Sequence, residues 1–565
     1  MKKLINNPSS VVRDMLEGVV ALSPQTALLL DENVVVRSDL AGAMARKVAV
    51  LSGGGSGHEP AHAGYVGRGM LTAAVAGDVF TSPSTDAVLA AIKAASGPAG
   101  TLLIVKNYTG DRLNFGLAAE LARAEGIPVE IVFVADDVAL RDSVSKERRR
   151  GIAGTVLVHK VAGAAAESGL SLQEVARVAR QTAENIASMG ISLGACTLPA
   201  VGKPGFALGE QEIEVGLGIH GEQGVRRMTM VSADDLCALI LGTMDADRPF
   251  IRGDRVVLLV NGLGSTPPME LAIVARAALS QLEAKGVAIE RAWAGTFLSA
   301  LDMPGFSLSL LHVDDALLSL IDTPTDAASW PGKGFVNPQP LKSEAARQDR
   351  HDGSPAASQT AEGLRVRDLA VRAAKAVIAA EHELTRLDSL AGDGDLGSSM
   401  KRGGEAILAL STSDFANPSV GLASVGSALR RSIAGSSGPF YATGLMRASR
   451  HLAGVVSPSP EKLAEAFSLA VQAISDLGGA KSGDRTMIDA LRPAAGAFAH
   501  SLNVGDSLAA AWQAAVDAGV AGADATKTMH PRLGRASYLG DRVVGHPDGG
   551  AVAVSIWLKA LAAAD

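Results

Sequence analysis

A chain of 565 residues is longer than one hydrophobic core normally organises, so we expect two or more domains. Apolar residues make up 47% and charged residues 20% of the chain, and this composition excludes a disordered protein. The net charge of −7 argues against a general nucleic-acid binder, which needs a basic surface, but it leaves a nucleotide ligand open.

Neither export nor a membrane span is indicated. Charged residues Arg13, Asp14 and Glu17 lie where a signal peptide needs an apolar run, and the longest apolar stretches are strand-sized rather than the ~20 residues of a membrane helix. The two cysteines, Cys196 and Cys237, are too few for a disulfide framework and are expected to be buried thiols. We therefore expect a cytoplasmic protein.

The first half of the chain alternates β-branched runs with helical periodicity. In chain order we predict strands at 47–51 and 71–75, a helix from Ser84 to Ala95, a strand at 101–106, a helix at 115–124 and a strand at 129–134. A largely helical stretch at 157–189 precedes a second block, with a strand at 255–260, a helix at 269–285 and a strand at 307–312. Such alternation is typical of parallel sheets, so residues 1–325 are predicted to form two α/β lobes.

The composition and the apolar periodicity of the chain change after residue 325. Prolines scattered among polar residues predict a linker at 326–360. Apolar residues then recur at helical spacing, at 366–377, 403–411, 420–433, 461–476, 487–502, 506–520 and 549–563. The fold class is therefore α/β plus all-α, with a helical bundle or barrel at 361–565.

An acidic, glycine-rich segment at 387–397 is the most informative local motif. Three aspartates, Asp388, Asp393 and Asp395, repel one another unless cations hold them, and hard oxygen ligands on a tight loop suit Mg²⁺. A solvated turn is the plain alternative. An EF-hand fails because Gly397 and Gly404 stand at its fifth and twelfth positions.

Four further glycine-rich loops join the predicted helices of this domain, at 435–438, 483–487, 534–540 and 546–550. Each alone is more often a turn, but together they are better explained by a shared ligand such as a phosphate, held by backbone amides. The domain has neither a P-loop nor a His-Arg-Asp triplet, so it is predicted to be a nucleotide site of another kind.

Polar residues in the first half fall after predicted strands. A glycine loop with His58 follows the first strand, and Asp111 follows the strand that ends at Lys106, so both are expected at the carboxyl edge of the sheet, where ligands bind. A structural tight turn is the alternative for the glycine loop. His220 stands between glycines that are expected to give it little steric cover, although a lone histidine is more often an ordinary hydrogen-bonded residue.

These motifs together resemble the dihydroxyacetone kinase family in its single-chain, ATP-dependent form. The resemblance extends from about Leu4 to Leu561 and is carried in order by SGGGSGHEPAH (52–62), KNYTGDRLNFG (106–116), GIHGE (218–222), GDGDLG (392–397), GDRTMIDAL (483–491) and GRASYLG (534–540). In the last loop, Asp548-Gly549-Gly550 replaces the Asp-Pro-Gly of the family, which removes no ligand.

The resemblance implies roles for single residues. His220 would bind the substrate ketone as a covalent hemiaminal, Asp111 would be the general base, and His58 would assist. Gly55, Ser56, Gly57 and Lys106 would line the pocket with His58 and Asp111. Asp388, Asp393 and Asp395 would hold two Mg²⁺ ions on ATP. The implied nucleotide contacts are Leu396, Gly397, Ser398, Ser399, Ser437, Gly438, Gly478, Thr486, Met487, Arg535, Asp548, Gly549 and Gly550.

The resemblance also implies ATP as phosphate donor, dihydroxyacetone as substrate, and a homodimer in which the nucleotide domain of one subunit serves the ketone domain of the other. Three alternatives stay open: a four-carbon ketose such as D- or L-erythrulose, a lyase that cyclises the AMP part of FAD on the same Mg²⁺ loop, and a catalytically idle sensor. The complete set of three aspartates argues against the sensor.

Overall fold

A computed structural model describes residues 2–222, 224–337, 359–433, 435–533, 535–538 and 540–562. The chain divides into two compact units, residues 1–342 and residues 343–565. Within the described residues, no helix is long and apolar enough to cross a membrane.

The first unit begins with a six-stranded sheet whose order is β1-β2-β4-β3-β5-β6. Its strands are β1 (Thr26–Leu28), β2 (Val34–Arg37), β3 (Ala49–Ser56), β4 (Ala73–Val79), β5 (Thr101–Lys106) and β6 (Val129–Val134). Its helices are α1 (Val11–Ala21), α2 (Thr85–Ala95), α3 (Thr109–Ala124), α4 (Thr155–Glu167) and α5 (Leu172–Glu184). Strands β4, β3, β5 and β6 are parallel, as predicted, while β1 and β2 join antiparallel.

Helices cover both faces of this sheet because its central strands are apolar on both sides. Val50 and Ile104 pack in one core with α1, α4 and α5. Leu51 and Val105 point the other way, into a core with α2 and α3. This alternation fixes which residues after each strand meet at the carboxyl edge.

The second sheet of the first unit has the order β11-β10-β12-β7-β8-β9. Its strands are β7 (Ile186–Ser192), β8 (Glu212–Val215), β9 (Arg226–Thr229), β10 (Arg255–Gly262), β11 (Ala288–Gly295) and β12 (Gly305–His312), with helices α6 (Ala233–Asp247), α7 (Pro268–Ala284) and α8 (Asp315–Asp322). Two lobes are confirmed, but the expectation of a parallel sheet is wrong here, since only β10 and β11 pair in parallel. Strand β12 follows β11 without an intervening helix, so it can enter the sheet antiparallel on the far side of β10.

Two local predictions in the first sheet are corrected. The glycine run at 53–55 belongs to strand β3 and is not a loop. A β-carbon at Gly53 would collide with the Val75 carbonyl of β4, and one at Gly55 would lie 2.6 Å from Thr81 N. Glycine is therefore needed here for close backbone approach rather than for turning. Helix α3 also begins at Thr109, not at 115, so Asp111 lies in its first turn.

The second unit is all-helical, as predicted. Its helices are α9 (Ala361–Ala379), α10 (Glu381–Ser389), α11 (Leu396–Leu408), α12 (Pro418–Ser432), α13 (Ser437–His451), α14 (Pro460–Gly478), α15 (Ile488–Asn503), α16 (Leu508–Ala525) and α17 (Gly549–Ala562). From α11 onward each helix packs on the next, and α9 packs on both α11 and α17. The sequence missed α10 and α13, because α10 is short and charged and α13 begins inside a glycine-serine segment.

Candidate active sites in the two units

Three polar groups of the first sheet meet at its carboxyl edge around the glycine run. Lys106 is the last residue of β5 and is fully buried, and Asp111 in α3 is 4% exposed. A β-carbon at Gly54 would collide with Lys106 Nζ and would lie 3.6 Å from Asp111 Oδ2. Gly54 thus makes room for an ammonium and a carboxylate beside the strand, as the position of their motifs after parallel strands predicts.

The Asp111 carboxylate has the features of a base. Burial raises its pKa, while the positive charge of Lys106 and a hydrogen bond from Ser82 lower it. Its Oδ1 is buried and has no hydrogen-bond partner among the described residues. A buried acceptor that is left unpaired is costly unless a ligand supplies the donor, so Oδ1 can receive a substrate hydroxyl.

His220 is enclosed by rings from other segments, so the expectation that it has little steric cover is wrong. Its ring centroid lies 4.6 Å from that of Tyr108, 4.9 Å from His58 and 5.3 Å from Phe80. The glycines near His220 have no side chains to cover its ring, and the rings of the three distant residues pack against it instead. Burial lowers the pKa of His220 to about 4, although Glu222 opposes the shift. The imidazole is therefore neutral near pH 7 and has a lone pair to share.

Glu222 holds the backbone of the His220 loop. The His220 N–H donates to Glu222 Oε2 at 2.8 Å, and Arg150 Nη1 lies 3.6 Å from Glu222 Oε1. A β-carbon at Gly218 would occupy the place of this carboxylate. The absence of a side chain at Gly218 thus leaves the space into which the Glu222 carboxylate folds back.

His58 is held in one orientation from the second sheet's side. Its Nδ1 is 2.8 Å from the Ser299 carbonyl oxygen, which can only accept, so Nδ1 carries the proton. Nε2 then has a lone pair, and it is buried without a partner among the described residues. Burial holds the pKa of His58 well below its usual range. A neutral acceptor at this point can take a hydrogen bond from a substrate hydroxyl.

The other predicted pocket residues are already engaged in part. Ser56 donates its hydroxyl to the Gly77 carbonyl at 2.8 Å, and the Gly57 N–H donates to the Glu59 carboxylate at 3.0 Å. Gly55 lies against the backbone of Phe80. These residues therefore shape the wall of a ligand site through the course of their backbone. The Ser56 hydroxyl and the Gly57 N–H are already used and are not free to bind a ligand.

The second unit brings its three aspartates together. One carboxylate oxygen from each of Asp388, Asp393 and Asp395 lies within 4.8 Å of the others. They are not all on one loop, because Asp388 lies in the last turn of α10 and Asp395 is the N-cap of α11. The turn between them uses Gly394 with φ +77°, a value that favours glycine. Three hard oxygen donors at this spacing fit a Mg²⁺ ion.

Part of the predicted nucleotide set lies beside this cluster. A β-carbon at Gly549 would lie 2.8 Å from Leu396, and one at Gly550 would lie 3.7 Å from the Met487 side chain. Asp548 accepts from the Ala551 N–H at 2.8 Å, and burial raises the pKa of this carboxyl to about 6. The starts of α11, α15 and α17 therefore converge near Asp388.

The remaining predicted nucleotide residues are placed as follows. Gly397 packs against α10, and Ser398 and Ser399 lie in the first turn of α11 with Ser399 accepting from Arg402 Nη2 at 2.8 Å. Ser437 and Gly438 start α13 instead of lying in a loop, and Gly478 faces Phe440 of that helix. The Thr486 N–H donates to Asp489 at 2.8 Å. The side chain of Arg535 and the backbones of Gly534 and Leu539 lie outside the described residues.

Sequence reasoning missed the residues that complete these sites from a distance. Phe80 and Ser299 belong to segments without a polar motif, so no local signal singles them out. Tyr108 and His62 stand inside the quoted motifs, yet nothing in the spacing shows what they face. Arg485 is 1% exposed and donates to the His546 carbonyl at 3.0 Å, which ties two of the glycine-rich loops together.

Comparisons with known proteins match both units. Residues 17–329 match the model of the Dak1 domain, and residues 390–563 match that of the DAK2 domain. The chain is 44% identical over 573 residues to the Triokinase/FMN cyclase of Homo sapiens, covering 99% of this chain and 98% of that protein. It is 36% identical over 594 residues to Dihydroxyacetone kinase 2 of Saccharomyces cerevisiae, covering 98% of each. The solved structure of the dihydroxyacetone kinase from C. freundii in complex with AMP-PNP and Mg²⁺ matches with a TM-score of 0.63 and 35% identity, covering 99% of each chain.

Proposed function

The chain belongs to the dihydroxyacetone kinase family, and we propose that it transfers the γ-phosphate of ATP to a hydroxyl of dihydroxyacetone. One observation carries this proposal. A neutral imidazole, His220, lies among the rings of His58, Phe80 and Tyr108, at the same sheet edge as an Asp111 oxygen that has no partner among the described residues. A carbonyl trap and a base for a hydroxyl are what phosphorylation of a small hydroxyketone requires.

The two units divide the work in this proposal. Residues 1–325 bind the ketone and residues 361–565 bind the nucleotide, with 326–360 as the linker, of which 338–358 lie outside the described residues. The packing of α17 on α9 supports a helical barrel for the nucleotide unit. The homodimer implied by the family resemblance stays a prediction, which light scattering can test.

His220 would bind the ketone covalently. A ring nitrogen adds to the carbonyl carbon, the carbonyl oxygen gains a proton and the ring loses its N–H proton, which gives a hemiaminal without any leaving group. Glycerol has no carbonyl and cannot form this bond, so the step selects ketones from alcohols. His58 Nε2 would accept a hydrogen bond from a substrate hydroxyl.

Asp111 would then take the proton of the hydroxyl that attacks phosphorus. Lys106, beside it, would neutralise charge and donate to the substrate. Gly55, Ser56 and Gly57 would complete the wall of the pocket.

ATP and Mg²⁺ would bind in the helical unit. Asp388, Asp393 and Asp395 would hold Mg²⁺, two ions by family resemblance, and the metal would neutralise phosphate charge. Amide groups at the starts of α11, α13 and α17 would face the phosphates, as helix N-termini do for anions. The nucleotide contacts proposed are Leu396, Gly397, Ser398, Ser399, Ser437, Gly438, Gly478, Thr486, Met487, Arg535, Asp548, Gly549 and Gly550.

A second candidate activity is supported by one of the relatives. The human protein that matches over 99% of this chain is named Triokinase/FMN cyclase. A cyclising lyase acting on FAD would use the aspartate cluster but has no ketone for His220 to trap. A four-carbon ketose such as erythrulose is the alternative kinase substrate, since it carries the same carbonyl.

His220→Ala is expected to abolish the adduct with dihydroxyacetone and to lower kcat/KM about 100-fold, because orientation through a covalent bond is lost. Intact-mass analysis after mixing with dihydroxyacetone measures the adduct, and coupled ATP turnover measures the rate. His312→Ala, in the same unit at the end of β12, is the control and should keep both. An adduct that persists in His220→Ala would contradict the assignment.

The adduct is also expected to be insensitive to pH over most of the neutral range. The pKa of His220 is lowered to about 4, so the ring stays neutral above that value and becomes protonated only as the pH approaches it. Adduct yield by intact mass should be constant from about pH 8 to about pH 6 and should fall toward pH 4. A fall near pH 6.5 would mean that His220 titrates as an exposed histidine.

A further inference from the structure

Behind Asp111 lies a buried chain of hydrogen bonds that the proposed reaction does not use directly. Lys106 Nζ is 2.6 Å from His62 Nε2 and 3.4 Å from the Gly53 carbonyl oxygen. His62 Nδ1 is 3.4 Å from Ser52 Oγ, and Ser52 Oγ is 2.7 Å from the Ile104 carbonyl oxygen. All three side chains are at most 6% exposed.

The direction of this chain follows from its last member. The Ile104 carbonyl can only accept, so Ser52 donates its single hydroxyl proton to it. The Ser52 oxygen is then an acceptor for His62, which requires the proton of the imidazole on Nδ1. Nε2 is left with a lone pair that points at Lys106, and an ammonium is a donor only. Lys106 therefore donates to His62, His62 donates to Ser52, and Ser52 donates to the Ile104 carbonyl.

The contact between Lys106 and His62 matters because the groups around the Lys106 amine decide whether it stays charged. Its positive charge acts on the imidazoles of His62, His58, His159 and His220. Burial is the larger cause that lowers the pKa of each, so these rings are neutral near pH 7. Burial also lowers the pKa of Lys106, and the Asp111 carboxylate opposes that shift.

Within the described residues, His62 Nε2 is the nearest hydrogen-bond partner of the Lys106 amine. A hydrogen bond from a charged group is stronger than one between neutral groups, so an acceptor at this distance favours the protonated form of the buried amine.

We propose that His62 is a positioning residue: its ring, set in one tautomer by Ser52, holds Lys106 as an ammonium next to Asp111 and so keeps Asp111 ionised as the base. This inference rests on the proposed role of Asp111. It adds a residue that touches neither ketone nor ATP and acts through Lys106.

The pH dependence of kcat/KM tests the proposal. In His62→Leu the amine loses its acceptor, the neutral form is favoured, and Asp111 loses the positive charge that lowers its pKa. The acid limb of the profile should move up by about one pH unit, with about a tenfold lower rate on that limb. His62→Gln places an amide oxygen near Nε2 and should restore most of the wild-type profile.

His159→Phe is the matched control. Both ring nitrogens of His159 are buried without partners among the described residues, and its ring lies 5.1 Å from that of His62. Phenylalanine keeps an aromatic ring at this position and removes no hydrogen bond seen in the described residues, so its pH profile should match the wild type. Adduct yield is measured at the same pH values, so that protonation of His220 is not mistaken for that of Asp111.

The outcomes separate this inference from the proposed function. An acid limb that stays in place in His62→Leu, or a His62→Gln variant as impaired as His62→Leu, overturns the positioning role. If His62→Leu does not fold, Ser52→Ala replaces it, with a smaller shift expected in the same direction and an unmoved limb counting against the role. Asp111→Asn is measured in parallel, because activity retained in that variant would refute the base itself.

Discussion

Asp111→Asn is expected to lower kcat about 1,000-fold while the adduct on His220 forms as in the wild type. Asparagine keeps the shape of the side chain but cannot take a proton, and positioned general bases contribute roughly 10²–10⁴-fold to rate. Oδ1 of Asp111 is buried and without a partner in the described part of the chain, so an asparagine there breaks no hydrogen bond to Oδ1 and changes only the ability to take a proton. ATP turnover and intact-mass analysis measure the two effects separately.

The control for this variant is Asp86→Asn. Asp86 also lies in the first turn of its helix, the neighbouring α2, but it is exposed. Its replacement should leave kcat within twofold. A kcat for Asp111→Asn within tenfold of the wild type would mean that another group takes the proton.

Asp393→Asn is expected to weaken binding of Mg²⁺-ATP on the order of 100-fold, since losing a metal ligand costs a few kcal/mol and each 1.4 kcal/mol is a factor of ten. Its carboxylate is one of three whose oxygens lie within 4.8 Å of one another. Calorimetric titration with ATP at fixed Mg²⁺ measures the affinity. The ketone adduct should form normally, because His220 and Asp393 belong to different units.

Asp517→Asn serves as the control for the charge change. Asp517 lies exposed on α16, where it accepts from Gln513 Nε2 at 2.9 Å, and it has no place in the cluster. Its replacement should leave ATP affinity unchanged. Loss of the ketone adduct in Asp393→Asn would refute the division of labour between the units.

The same variants separate kinase from cyclase activity. A cyclising lyase would share the aspartate cluster, so Asp393→Asn should impair turnover of both ATP with ketone and FAD. His220→Ala and Asp111→Asn should impair only the kinase reaction, because FAD offers no ketone to trap. Assaying each variant with dihydroxyacetone, erythrulose and FAD would resolve the substrate alternatives as well.

Local sequence was sufficient for most secondary structure. The strand at 101–106 and the helix ending at Ala95 stand where periodicity and the Ser84 cap predict them. It was also sufficient for the aspartate cluster, because all three residues lie within one tight turn and its flanking helix ends. Features of this kind depend on residues that are close in the chain, and backbone preferences already restrict the geometry of such residues.

Tertiary structure decided the remainder. The antiparallel entry of β12, the strand conformation of the glycine run and the ring cage around His220 each depend on segments far apart in the sequence. The same holds for the tautomer of His62, which is set by a hydroxyl and a carbonyl on two adjacent strands. Sequence alone determined which reactive groups this protein carries, the sheet edge where His58 and Asp111 stand, and the helix ends that hold the three aspartates. Only the fold determined their burial and hydrogen-bond partners, and it is burial that makes His220 neutral and leaves Asp111 with an oxygen to accept a proton.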